Sequence, residues 1–580
     1  MAKRKRKQLS ATVVEGYEVV MDPAQLPGLM ADDAVVGVDL ETTGLRPWQG
    51  RIATVQLFGD TSGTAALIRT PTGKLPAEVK RILQDPRRTL IAHNGVSFDI
   101  PFLHAAGVDP DKATWYDTLV AETAIVPTQR RDVSKSLRAS LKRRLGKSID
   151  KTLQKADWSQ PELTPEQVTY AMTDVVHLPA LRRTQLELAA ERGVLRGLEM
   201  EMQLVVPTAW MTINGLPLNR KKLAEYLAKQ EADRATVTKV FIETFGEVNA
   251  RSPQQVKAAF HALGIMVDNT RKETMQDLIA MGGRSGEVAN TLLEYRRPDQ
   301  RIKVYGGDFL GRFLAPDGRV HPHFWQCSTD TTRYSSSEPN GEQVPRDMRY
   351  VFGWLPGYLM VALDYSQIEI RVAAAYARDA VLLEVLEGED VHASIASEIF
   401  EVPLGRVTFD QRKMAKAMSF TLLFGGGPQV LFDYARRGGG QLNFDQAQQM
   451  VERFFTRFSG LKELKQRAID KARYSRSVTI NLPSGLKRQL YGRQLKPTTI
   501  LNTMVQGTAA VGIKYGILEA HSRGLVAGYL GNQVHDELVS TVPRNEAKEY
   551  AAEMREAMLL GMNRAIECKP RVEVKVERYW

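Results

Sequence analysis

Cysteine is scarce in this sequence: Cys327 and Cys568 are the two in 580 residues. Two thiols exclude a disulfide scaffold and a cysteine-built zinc site, and they fit a reducing compartment. No stretch reaches the roughly 18 apolar residues that a spanning helix needs. The basic N-terminus has no apolar segment of the signal-peptide kind. Long low-complexity linkers and internal repeats are missing too. Together these absences lead us to expect a soluble, intracellular protein with no membrane partner.

What is present is ordinary for a folded chain, with 43% hydrophobic and 25% charged residues. The length exceeds one core and suggests roughly three to five compact units. Lys and Arg number 78 against 67 Asp and Glu, a formal charge of +11. That balance fits a polyanionic partner without identifying it. Lys3-Arg4-Lys5-Arg6-Lys7 reads as a solvated tail, the usual fate of a charge run.

Ala34–Leu40 is a β-rich run, Arg51–Phe58 alternates like a half-buried strand, and Thr89–Ala92 is a further short strand. Leu137, Leu141 and Leu145 recur at helical spacing before Gly146, a C-cap residue. Strands and helices thus alternate over the first 190 residues or so, as in an α/β domain. Residues 195–310 are mainly helical in pattern. The stretch 355–580 mixes a strand at Tyr358–Leu363, long helical patterns through 365–470 and a strand-turn-strand near 525–540. Gly425–Gly427 and Gly438–Gly440 punctuate the helices there.

Two sets of carboxylates carry chemistry. In Val38-Asp39-Leu40-Glu41-Thr42-Thr43-Gly44, Asp39 and Glu41 are two apart on a strand and project to one face. Such a pair repels unless a cation lies between, and oxygen ligands suit a hard divalent metal. His93-Asn94-Gly95-Val96-Ser97-Phe98-Asp99 adds a third acid. Tyr170-Ala171-Met172-Thr173-Asp174 puts a phenol and a carboxylate four apart, on one helix face. Asp39, Glu41, Asp99 and Asp174 are a donor set for two metals, with Tyr170 placed to orient a water, and two-metal sites cleave phosphodiesters.

These segments resemble the three motifs of the DEDDy 3′→5′ exonucleases, the proofreading domains of DNA polymerases and their ribonuclease D-like relatives. The likeness covers about 35–190, including Ser136-Leu137 through Leu145-Gly146 to Trp158. It implies a ribonuclease H-like domain with Asp39, Glu41, Asp99 and Asp174 as metal ligands and Tyr170 as the water-orienting group.

The second set is Leu363-Asp364-Tyr365-Ser366-Gln367-Ile368-Glu369-Ile370-Arg371 and, far downstream, Gln533-Val534-His535-Asp536-Glu537-Leu538. Between them, Arg412, Lys416 and Phe420 recur every four residues, which lines them on one helix face. Two cations and an aromatic on one face suit a triphosphate and its nucleoside, although a solvated basic face reads the same in isolation.

The three segments together resemble motifs A, B and C of the family A, bacterial polymerase I-like DNA polymerases, over about 200–580. Ser252-Pro253-Gln254-Gln255, Arg333-Tyr334-Ser335-Ser336, Pro339-Asn340 and Asn502-Thr503-Met504-Val505-Gln506-Gly507-Thr508 belong to the match. The resemblance implies a multi-domain α/β and α+β chain. A tail and lead-in (1–20) and an exonuclease domain (21–195) would precede a right-hand polymerase domain (196–580). Within the latter the thumb would lie at about 205–310, the palm at about 311–385 and 500–580, and the fingers at about 386–499.

Asp364 and Asp536 would hold two Mg²⁺, with the Tyr365 carbonyl as a further ligand, and two more ions would occupy the exonuclease site; Mn²⁺ would substitute. Arg412, Lys416 and His392 would clamp the incoming triphosphate, with Lys416 also counted as catalytic, and Phe420 would pack on its sugar and base. Glu369 matches the steric gate against a 2′-hydroxyl, which makes dNTPs the substrates. Arg333, Asn502, Gln506, Gln533 and His535 match residues on the primer–template minor groove, and Asn340 and Gln343 lie along the template. Partners would be primer–template DNA and dNTPs, acting on a monomer. A thioredoxin-type processivity factor is not expected, because 205–310 has no long insertion; other replication proteins stay open. The resemblance starts at the exonuclease domain, so no 5′-nuclease domain is expected.

Three departures from the family pattern stand out. Phe424 replaces a tyrosine whose hydroxyl partners the gate glutamate, so a buried Glu369 needs another partner. Gly341-Glu342-Gln343 replaces Leu-Gln-Asn, and Val511 replaces an acid. Two alternatives carry different expectations: a ribonuclease D-like exonuclease whose C-terminal part only binds nucleic acid, and a single-subunit RNA polymerase. Intact Asp364, Arg412, Lys416 and Asp536 argue against the first, and Glu369 with the attached exonuclease against the second.

Overall fold

The computed structural model describes residues 13–126, 133–150, 152–437 and 442–580. Lys3–Lys7 and Gly438–Gly440 lie outside the described residues. Among those described, no helix is long and apolar enough to cross a membrane.

The N-terminal unit is a seven-stranded mixed sheet. Its strand order is Val13–Val14, Tyr17–Val20, Ala65–Arg69, Ile52–Gly59, Val35–Thr42, Thr89–Ala92 and Thr114–Asp117. Ile52–Gly59 departs from the expected half-buried alternation, because every residue in it is buried. Its polar positions pair with each other: Gln56 Nε2 donates to Thr54 Oγ1 at 2.7 Å, while Gln56 Oε1 has no hydrogen-bond partner among the described residues. The helix Leu137–Leu145 forms as its leucine spacing predicts and ends on Gly146 at φ 68°.

The helix Pro165–Val176 starts on a capping box of Thr164 and Gln167. It presses directly on the strand Val35–Thr42. A Cβ on Gly37 would lie 2.9 Å from the Val175 carbonyl oxygen, so glycine at 37 is what permits the approach.

The helices Leu195–Gln203 and Val205–Asn214 carry the chain into the C-terminal half. They are tied to both halves. Trp210 Nε1 donates to Asp111 Oδ2 at 3.0 Å, and Asn214 Nδ2 donates to the Val526 and Leu530 carbonyls, each at 2.8 Å. Next comes a helical projection built on the long pair Arg220–Phe245 and Gly283–Tyr305. Its own small core contains Phe241, Phe245, Val256, Phe260, Met275 and Leu292.

The C-terminal sheet is antiparallel, in the order Leu530–Val534, Glu537–Pro543, Tyr358–Tyr365, Val572–Glu577. Its strand Tyr358–Tyr365 runs two residues past the expected end and takes in Asp364 and Tyr365. Val361, Leu363 and Tyr365 point into the core shared with the helices Pro497–Ser522 and Ala547–Ala565. Asp364 therefore projects from the other face, since strand side chains alternate. Helices from Val391 to Tyr474 and the hairpin Ser477–Asn481/Lys487–Tyr491 form the remaining lobe.

Candidate active sites

The sheet and helix of the N-terminal unit bring three acids together. Asp39 and Glu41 share one face of their strand, and the contact at Gly37 delivers Asp174 to them. One carboxylate oxygen from each lies within 4.8 Å of the others. Three carboxylates this close repel by about 1 kcal/mol per pair in water and more where solvent is excluded. All-oxygen donors at this spacing fit a hard divalent cation. Tyr170 stands one turn before Asp174 and stacks at a tilt on Trp158, ring centroids 5.9 Å apart. Burial, then the charges of Asp174, Glu41 and Asp39, hold its phenol well above the usual range, so it stays protonated.

Asp99 is placed differently from the other three. It opens the helix Asp99–Ala105 and is buried, its Oδ1 has no hydrogen-bond partner among the described residues, and it stands outside the close cluster of Asp39, Glu41 and Asp174. Burial and then the Asp117 charge push its carboxyl well above the usual carboxylate range.

Asp117 escaped the sequence reading. Its oxygens accept the backbone N–H groups of Asn94, Val96, Leu119 and Val120 at 2.8–3.2 Å. It thereby caps the helix Thr118–Ile125 and fixes the loop that leads into Asp99. The only local signal was an aspartate at a helix start. We predict that Asp117→Ala, which leaves buried N–H groups unpaired, destabilises the chain by about 3 kcal/mol. A lowered midpoint in thermal or urea unfolding measures this.

In the C-terminal sheet, Asp364 stands opposite Glu537, the neighbour of Asp536, and opposite Glu573 on its other side. The Tyr365 N–H donates to the Asp536 carbonyl at 3.1 Å and closes this corner. The turn at His535 takes φ 53°, and Gln533 Nε2 braces it by donating to the His535 carbonyl at 2.6 Å. Asp364 keeps one side open to solvent. Enclosure of the other side, then the charges of Glu537, Asp536 and Glu573, push its carboxyl up to about 6. Burial, against the opposing charge of Arg333, does the same to Asp536, also to about 6. Asp536 Oδ1 is buried with no hydrogen-bond partner. That oxygen faces Arg333 Nη2 at 3.6 Å, and as an unbonded carboxylate oxygen it could also serve a hard cation. Glu537 itself is held by Arg349 Nη1 at 2.8 Å and Trp580 Nε1 at 3.0 Å.

Glu369 finds its partner in Arg333 rather than at 424. Arg333 Nη2 donates to Glu369 Oε1 at 2.7 Å and lies 3.6 Å from Asp536 Oδ1. Phe424 is half-buried and packs on the apolar core. One guanidinium thus ties the two acidic positions together. Arg333→Ala removes a charge-assisted bond worth about 1.5–3 kcal/mol. We expect the variant to unfold at a lower midpoint, read in thermal or urea melts.

The helix Phe409–Leu423 starts on a capping box of Thr408 and Gln411 and carries Arg412 and Lys416 on one face. Arg412 Nε donates to Asp390 Oδ2 at 2.6 Å. Asp390 caps the helix Val391–Phe400, which places His392 beside both cations. Burial, then Lys416 and Arg412, lower the His392 ring to about 4. The Phe420 backbone continues this helix; its side chain lies outside the described residues.

Asn502 and Gln506 sit one turn apart on the helix Pro497–Ser522, and Asn502 Oδ1 has no hydrogen-bond partner. The Asn340 side chain is turned into its own loop, where it accepts the N–H groups of Glu342 and Gln343, each at 3.1 Å, while Gln343 is exposed. Burial pushes Glu342 up to about 7.

Known proteins with the same pattern match nearly the whole chain. The model of DNA polymerase family A matches residues 220–580, and that of a 3′-5′ exonuclease matches 17–187. DNA polymerase I of Aquifex aeolicus is 28% identical over 554 residues, 90% of this chain and 91% of that protein. DNA polymerase I of Pseudomonas aeruginosa is 26% identical over 93% of this chain and 63% of its own length; that of Geobacillus stearothermophilus is 30% identical over 62% and 43%. The chain thus spans most of the first relative and about half of the others. The POL domain of Pol1 from M. smegmatis, solved in complex with DNA primer-template and dNTP, superposes with a TM-score of 0.81 at 25% identity. That match covers 97% of this chain and 99% of that one.

Proposed function

This chain belongs to DNA polymerase family A, with a 3′-5′ exonuclease domain ahead of the polymerase domain, and on that premise we propose that it extends a DNA primer with dNTPs on a template and trims the 3′ end through the N-terminal site. The observation that carries the reading is the pairing register that sets Asp364 beside Glu537 and Asp536 from segments far apart in sequence. The domain limits we assign are 21–195 for the exonuclease and 196–580 for the polymerase. The helical projection on Arg220–Phe245 and Gly283–Tyr305 is the thumb, the four-stranded sheet the palm and the lobe on Phe409–Leu423 the fingers.

Both family domains depend on divalent metal, and we assign Mg²⁺ to them. Asp364, Asp536 and the Tyr365 carbonyl would hold it in the palm; Asp39, Glu41, Asp174 and Asp99 would hold it in the exonuclease. When bound, paired divalent ions activate the attacking hydroxyl and neutralise charge on the leaving oxygens. The protein residues do the remaining work. Arg412 and Lys416 bind the triphosphate. His392, neutral at physiological pH, donates a hydrogen bond to it without adding charge. Glu369, held in place by Arg333, occupies the space a 2′-hydroxyl would need. Asn502, Gln506, Gln533 and His535 line the minor-groove side of the primer end, where acceptors sit alike for every correct pair. In the exonuclease site the protonated Tyr170 hydroxyl orients the attacking water.

A primed template with Mg²⁺ and each nucleotide set tests this. We expect templated extension with dNTPs, little with NTPs, and 3′ shortening when nucleotides are withheld. Shortening without extension under any nucleotide supply overturns the polymerase assignment.

A further inference from the structure

The two sites are joined by a clasp. The loop after Asp39 and Glu41 is closed on itself. Thr42 Oγ1 donates to the Gly44 carbonyl at 2.7 Å, the Thr43 N–H to the Arg51 carbonyl at 3.0 Å, and the Gln49 and Gly50 N–H groups to the Arg46 carbonyl at 2.9 and 3.0 Å. A Cβ on Gly50 would lie 2.4 Å from Gly44 N, so the two strands of the loop touch backbone to backbone. A loop this tight moves as one piece, and a displacement of Arg46 is a displacement of Thr42, the neighbour of Glu41.

The Arg46 side chain also reaches the C-terminal half. Its guanidinium, 6% exposed, donates through Nη2 to the Glu338 carbonyl at 2.8 Å and to Glu338 Oε2 at 3.1 Å. Trp48 and Phe313 flank it, with ring centroids 5.3 and 5.5 Å from the guanidinium carbon. Glu338 ends the strand Ser335–Ser337, whose pairing with His323–Trp325 is pinned by Trp325 Nε1 on Ser337 Oγ at 2.9 Å. The other end of that strand leads to Arg333, the residue bound to Glu369 and facing Asp536. A single short hairpin thus has the exonuclease loop at one end and the polymerase centre's arginine at the other.

We propose that Arg46 and Glu338 are positioning residues that couple the two reactions, setting the ratio of trimming to extension by holding the exonuclease loop against this hairpin. The proposal rests on the dual activity above. The half-exposed Glu338 carboxylate adds little by itself, since exposed ion pairs are weak. The buried Nη2, which donates to both the Glu338 carbonyl and its carboxylate, supplies the geometry.

The test uses the full chain on a primer–template with a mismatched 3′ end, scoring trimming against extension in one reaction, with melting curves to confirm folding. We expect Arg46→Ala to lower the trimming-to-extension ratio about fivefold, the lower range of site-to-site coupling. Glu338→Ala, which keeps the carbonyl acceptor, should lower it less, and should add nothing in the Arg46→Ala background. If Arg46→Ala does not fold, Arg46→Met, which fills the space without a donor, serves in its place. A ratio within twofold of the parent in a folded variant, or additive effects of the two substitutions, overturns the proposal. Failure of the dual-activity reading shows separately, as a missing reaction in the unaltered chain.

Discussion

Asp536→Ala is expected to stop primer extension, a loss of about 10³-fold or more in rate, while 3′ trimming continues. The expected loss is large because Asp536 and Asp364 are the two acids we assign to the metal in the palm. Asp536 Oδ1 has no hydrogen-bond partner, and Arg333 reaches only to 3.6 Å. On the proposed reading a substitution here removes a metal ligand, and apart from the long contact with Arg333 it breaks no side-chain bond among the described residues. A second readout separates function from folding. Burial raises Asp536 to about 6 in the folded chain, against an ordinary value of 3.8. The folded state therefore binds the proton more tightly than the unfolded one, and ionising Asp536 costs stability. The cost is absent below pH 3.8, grows between 3.8 and 6, and is full above 6. In EDTA, Asp536→Asn should accordingly melt above the parent at pH 7.5, by about 1–2 kcal/mol, and match it near pH 4. Loss of extension with raised metal-free stability is the signature of a ligand. Retained extension, or a chain that unfolds, removes Asp536 from that role.

How much of this was legible in the sequence follows the range of each interaction. Asp39 and Glu41 share a face because strand side chains alternate, and Tyr170 precedes Asp174 by one helical turn; both relations are local and could be read directly. The helix Leu137–Leu145 and its Gly146 cap were legible for the same reason. The strand Ile52–Gly59 misled, since its polar positions Thr54 and Gln56 pair with each other inside the core rather than face water. Contacts between distant segments were legible only where the family resemblance supplied them, as for Asp364 and Asp536. Phe424 announced that Glu369 needed a new partner, but nothing near it named Arg333. Asp117 and Arg46 look like an ordinary helix cap and an ordinary loop cation until the fold brings four N–H groups to one and Glu338 to the other.

Asp39→Ala is expected to remove 3′ trimming, again by about 10³-fold or more, and to leave matched-primer extension within about twofold. Asp39, Glu41 and Asp174 present oxygens within 4.8 Å of one another. This spacing concentrates negative charge that a divalent cation would offset, which is the basis for reading each carboxylate as a ligand. Asp39 lies on the N-terminal sheet, whereas Asp364 and Asp536 lie on the C-terminal one, and the strands of the two sheets are not paired. The two losses should therefore separate cleanly: Asp39→Ala extends but does not trim, Asp536→Ala trims but does not extend. The separation also distinguishes Asp39 from the clasp at Arg46. Removing a ligand abolishes trimming on single-stranded and duplex substrates alike and leaves extension of a matched primer alone. Removing the clasp changes only the balance between two working reactions. A mismatched primer supplies the sharpest contrast, because the Asp39→Ala chain can only extend it or stall. Trimming that survives in Asp39→Ala would move the exonuclease chemistry away from the Asp39, Glu41 and Asp174 cluster.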